Sequence, residues 1–156
     1  MAETIDQSKQ DPNVLQFPVD QSARDHITRS RVKMAETASR DLVAICHGFS
    51  SESGWWTDLQ TGGTLKGKKN IPELLMLVVS ELGEAMEGHR KNKMDDHLTH
   101  RRMLEVELAD ALIRIFDMAG GMGLDVAGAL AEKLAYNAQR ADHKIENRQK
   151  EDGKKY

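Results

Sequence analysis

The sequence predicts an all-α protein, built as an antiparallel four-helix bundle. Apolar residues recur at helical spacings through four segments. Nowhere do β-branched residues alternate with polar ones over a useful length, so no strand is expected. The last three helical segments are joined by short links, which makes them antiparallel neighbours.

The elements follow in order. Residues 1–22 hold Asp11-Pro12-Asn13 and Phe17-Pro18-Val19 and keep no period, so they read as an extended or mobile arm. A first helix, from about Ser22 to Gly48, is polar with one narrow stripe through Ile27, Val32, Ala35, Ala38, Leu42 and Ile45. Residues 49–70 form a loop long enough to suggest a functional role, rich in Gly, Ser and Lys. Asn70 suits the cap of a second helix, and Pro72 its first turn, where no donor is needed. That helix runs to about Arg90. Asp95 or Asp96 is placed to cap a third helix reaching about Ala119, closed by Gly120-Gly121-Met122-Gly123. Asp125 caps a fourth helix from about Val126 to His143. One domain, residues 23–145, holds these four helices, and a charged tail occupies 146–156.

Composition narrows the function. The chain has 156 residues, 30% of them charged, with a formal net charge of -3. That balance gives no long-range pull toward nucleic acid or an anionic membrane. No apolar run reaches the roughly 20 residues of a membrane span. The first residues, Met1-Ala2-Glu3-Thr4-Ile5-Asp6, lack the basic and apolar blocks of a signal peptide. Cys46 is the single cysteine, so no intrachain disulfide can form. The expectation is a soluble cytoplasmic protein with neither nucleic-acid nor membrane partner.

The chemistry sits in two pairs of acids. Glu81 and Glu84 are three apart on the second helix; Glu107 and Asp110 are three apart on the third. Spacing of three puts both members of a pair on one face. Both helices are apolar almost all round, where a lone ionised carboxylate costs several kcal/mol. Two facing pairs make sense around divalent cations with hard oxygen ligands, Mg²⁺ above all, which favours phosphate oxygens as its remaining ligands. Arg114, one turn past Asp110, is placed as its i, i+4 partner or as a substrate-binding cation. On the fourth helix Lys133, Asn137, Arg140 and Lys144 recur at spacings of four, three and four and form one basic stripe. That stripe is either a solvated face or a phosphate-binding surface.

At these residues the chain resembles the MazG-like family of all-α nucleoside triphosphate pyrophosphohydrolases. Glu81-Leu82-Gly83-Glu84 and Glu107-Leu108-Ala109-Asp110 are similar to the family's Glu-x-x-Glu and Glu-x-x-Asp. Gly123-Leu124-Asp125, then Lys133, Asn137 and Arg140, are similar to its turn and basic helix. The resemblance spans about residues 40–145. It implies Mg²⁺, with Mn²⁺ a workable substitute, held by Glu81, Glu84, Glu107 and Asp110. It implies attack of water at the α-phosphorus, giving a nucleoside monophosphate and pyrophosphate. Glu81 or Glu84 would act as base, and Lys133, Asn137, Arg140 and Arg114 would bind the substrate. It places Trp55, Trp56 and His47 near the nucleobase, and it implies a homodimer or homotetramer with the site near a subunit interface. No base or sugar follows from it.

Three rivals fit worse. Gly62 to Lys68 has the spacing of a P-loop, but Lys69 stands where Ser or Thr should hold the metal, and no strand precedes it. A di-iron bundle needs Glu-x-x-His pairs, which the helices lack. A non-catalytic metal- or nucleotide-binding helical module is the remaining alternative.

Overall fold

The computed structural model describes residues 21–155, and every regular element in them is helical. Of the arm assigned to residues 1–22, all but the last two lie outside the described residues; those two begin the first helix. The order is α1 (Gln21–Glu52), α2 (Ile71–Lys91), α3 (Met103–Met122), α4 (Val126–Gln139), a 3₁₀ turn at Ala141–His143 and α5 (Ile145–Arg148). Among the described residues pairing of strand type is confined to two isolated bridges, Thr57 with Thr64 and Met94 with Arg102. The strand that a P-loop requires before Gly62 is therefore not there.

α2 and α3 form the central pair, and α1 packs on both α3 and α4. The pair runs antiparallel: Met103 lies against Gly88, while Arg114 meets Glu81. Val78, Glu81, Ala85 and Gly88 face inward from α2; Glu107, Ala111 and Met118 do so from α3. Those spacings of three, four and seven are the apolar period of a helix.

The boundaries depart from the sequence reading where local chemistry overrides the period. α1 runs one turn past Gly48. α3 begins at Met103, not near Asp95, because Asp95 closes a turn instead. Its carboxylate accepts from the backbone N–H of His97 and Leu98, and Met103 N donates to Lys93 O at 3.1 Å. Gly120 and Gly121 stay inside α3, and Gly123 ends it in the left-handed conformation at φ 70°. α4 stops at Gln139 because Arg140 turns extended and binds Asp142. Asp125 caps α4 as expected, accepting from Gly128 N at 3.0 Å, and also meets Arg40 of α1 at 3.3 Å. Asn70 stands at the α2 cap position without a side-chain bond, leaving Pro72 and Glu73 to favour the start.

The loop between α1 and α2 is pinned rather than loose. Asp58 accepts from the backbone of Gln60 and Thr61, and its own N–H donates to Gly63 O at 2.8 Å. Gly67 N donates to Gly121 O at 2.9 Å, which ties the loop to α3.

Candidate metal centre and adjoining cleft

Glu81 and Glu107 are buried between α2 and α3, at 5% and 8% exposure. Glu84, one turn along α2, is exposed and accepts from Ser80 Oγ at 3.3 Å. One oxygen from each of the three acids lies within 4.8 Å of the others, a spacing that suits a single cation. Arg114 Nε donates to Glu81 Oε1 across the helix pair, so its bond goes to the facing helix and not to Asp110.

The crowding has an electrostatic cost. Burial, then a hydrogen bond with Glu81 and the charges of Glu84, Glu81 and Asp110, push the Glu107 carboxyl up to about 7. Asp110 is raised too, first by burial and then by Glu81; Arg114 opposes the rise, and the buried Asp95 adds to it. A single guanidinium is too little charge for these acids, and either a proton on Glu107 or a divalent cation would relieve the repulsion. All candidate donors are oxygens, as Mg²⁺ and Mn²⁺ require.

Asp110 stands apart from the three converging carboxylates and lines the next feature, a cleft of about 700 Å³. Asp110 and Arg114 form its wall beside the acids. Ile45, Phe49, Leu74, Leu77 and Ile113 are among its apolar walls, and Trp55, Lys69, Ser50 and Asp117 also line it. The volume and the mix of apolar walls with a few polar groups suit a small organic ligand.

The two tryptophans divide. Trp55 is 70% exposed and lines the cleft; Trp56 is 2% exposed and sits on Gly121. Trp56 Nε1 donates to Asp117 Oδ1 at 2.7 Å, and its ring stands edge-on to His47, with centroids 5.3 Å apart. His47 Nδ1 lies 3.0 Å from the same oxygen; a carboxylate only accepts, so Nδ1 carries the hydrogen, leaving Nε2 to accept from Ser51 Oγ at 3.2 Å. Ser50 Oγ donates to Asp117 Oδ2 at 2.8 Å. His47 and Trp56 thus build the wall behind the cleft, and Trp55 faces into it.

None of Lys133, Asn137 and Arg140 lines the cleft. α4 lies on α1, and two of the three have local partners. Lys133 sits over the Tyr136 ring, Arg140 pairs with Asp142, and Asn137 Oδ1 is buried with no hydrogen-bond partner among the described residues. One chain therefore brings Glu81, Glu84, Glu107, Asp110 and Arg114 together and leaves the basic stripe elsewhere.

Sequence reasoning missed Asp117. The signal was present: it follows Asp110 by seven residues, two turns on the same face, in an equally apolar stretch. Ser50 and Phe49 were missed because the period of α1 weakens before the helix ends.

No family model matches this chain, and no curated protein or solved structure is similar enough to count as a match.

Proposed function

We propose that the protein is a Mg²⁺-dependent nucleoside triphosphate pyrophosphohydrolase of the MazG-like type, a four-helix bundle working as a homo-oligomer in the cytoplasm. The observation that carries the reading is the convergence of Glu81, Glu84 and Glu107 within 4.8 Å on two packed helices, with a ligand-sized cleft opening beside them. Glu81, Glu84 and Glu107, with Asp110 alongside, would hold the cation. When bound, Mg²⁺ supplies charge for the triphosphate and lowers the pKa of water.

The chain's own residues do the rest. Glu81 or Glu84 orients a water at the α-phosphorus and takes its proton. The new P–O bond forms as the bond to the β-phosphoryl oxygen breaks, and pyrophosphate leaves with the electron pair. Arg114, fixed by Glu81, brings positive charge to the wall shared with Asp110. The apolar cleft accepts the nucleoside.

Assembly completes the site in this reading. Leu75, Val79, Leu82 and Met86 of α2 and Leu108 and Leu112 of α3 are exposed in the single chain. An apolar band of that kind marks an interaction surface. A second copy would cover it and could bring a basic α4 stripe toward the acids.

The test is direct. Purified protein is incubated with Mg²⁺ and each nucleoside triphosphate. Pyrophosphate as product supports the proposal. Orthophosphate alone points to another phosphohydrolase, and no turnover leaves a binding module.

A further inference from the structure

The cleft ends on a carboxylate with a lone pair to spare. Asp117 side-chain exposure is 20%, and the residue lines the cleft. Its Oδ1 accepts from Trp56 and His47, which fills that oxygen; among the described residues its Oδ2 accepts from Ser50 Oγ alone. Asp117 and Ser50 both line the cleft, so Oδ2 and the hydroxyl bonded to it border the ligand space. A half-buried acceptor facing an apolar ligand site favours a ligand that brings a donor to it.

The position along α3 says which part of a nucleotide that would be. Asp117 lies seven residues from Asp110, two turns on nearly the same face, or roughly 10 Å at the rise of an α-helix. That is the scale separating a base edge from the α-phosphate of its own nucleotide. Trp55 and Phe49, both well exposed on the cleft, offer flat surfaces for the base between these ends.

Resting on the pyrophosphohydrolase reading, we infer that Asp117 selects the substrate base, favouring bases with an exocyclic amino group (cytosine, adenine, guanine) over uracil and thymine. An amino group presents N–H donors at the base edge. Guanine adds its ring N1–H beside them. In uracil and thymine the only such donor, N3–H, lies between two carbonyl oxygens, whose lone pairs face the carboxylate and repel it. Lys69, the other charged group on this wall, has its ammonium 4.4 Å from the Trp56 ring centroid. Asp117 thus meets the base edge while the acids 81, 84, 107 and 110 meet the phosphates.

The experiment measures kcat/KM with Mg²⁺ for dCTP, dATP, dGTP, dUTP and TTP. A sixth substrate is the pyrimidin-2-one deoxynucleoside triphosphate, which is dCTP without its amino group. The amino-bearing three are expected to exceed dUTP, TTP and the pyrimidin-2-one by about 10-fold or more, as when a polar site group loses its partner. Asp117→Asn keeps an oxygen for Trp56 and His47 and turns the other acceptor into a donor. It should shift the dCTP to dUTP ratio toward dUTP by about 10-fold. A purely structural role would lower all substrates alike and leave that ratio unmoved. Equal use of dCTP and the pyrimidin-2-one by the unaltered protein overturns the inference while the enzyme reading stands, whatever the variant's folding. Pyrophosphate from none of the six, nor from the four ribonucleoside triphosphates, overturns the enzyme reading and this inference with it.

Discussion

Three acids converge between α2 and α3, with Asp110 and the Arg114 guanidinium alongside, and the acids answer differently. Glu107 is held up to about 7 by burial and its neighbours, whereas Glu84 is exposed. The linkage has a definite sign. A carboxyl raised above its ordinary 4.5 contributes stability that is fully present below that value and lost as pH rises through about 7. A bound cation requires the deprotonated form, so its stabilisation grows over the same window. The Tm gained on adding Mg²⁺ should therefore be larger at pH 8 than at pH 5.5, and Glu107→Gln should flatten the dependence. Equal gains at both pH values would remove Glu107 from the cation site. Turnover reads the same residues independently. Glu84→Gln or Asp110→Asn should lower kcat by roughly 100-fold or more, exceeding the usual loss of an outer-shell partner, with helicity by circular dichroism intact. Full activity in either variant would withdraw that residue from the reaction.

At the scale of elements, the decisive contact is between the α1–α2 loop and α3. Trp56 packs against Gly121, where a Cβ would come within 2.2 Å of the indole ring carbons. The ring has no easy retreat, because Asp117 holds its N–H and Lys69 covers it. Gly121→Ala ought to gain about 1 kcal/mol in helix propensity. Overpacking costs about 1–3 kcal/mol, more against a pinned aromatic ring, so the clash wins. Thermal unfolding should show a Tm several degrees lower, at about 2–4 °C per kcal/mol for a chain of this size. An unchanged or higher Tm would mean that the loop is not docked on α3. The same contact explains what could be read from sequence. The inward stripe of α2 and the paired acids were legible because an apolar period makes a charged residue conspicuous. The start of α3 was not, since Asp95 can cap a helix or close a turn with the same bonds. Gly120-Gly121 read as a helix stop, yet these glycines stay helical to admit His47 and Trp56, partners distant in sequence. Asp117 followed the rule that found Asp110 and lacked only a paired acid.

At the scale of the molecule, the outer face of α2 decides what a single chain can do. No helix among the described residues is long and apolar enough to cross a membrane. Leu75, Val79, Leu82 and Met86 recur at spacings of four, three and four and turn away from α3, exposed. An isolated chain would tolerate charge there within about 0.5 kcal/mol, as at most surface sites. A chain that buries the band against its own copy would not, because a symmetric contact brings each new charge near its twin. The reading of a homo-oligomer therefore predicts a stable dimer or tetramer by sedimentation at micromolar concentration. Val79→Glu combined with Leu82→Glu should dissociate it to monomer with helicity retained. Activity should fall with dissociation if the basic stripe acts across the interface. A wild-type protein sedimenting as a monomer would sink the assembly. The basic stripe of α4 would then stay remote from the phosphates, leaving Arg114 as the cation beside the acids.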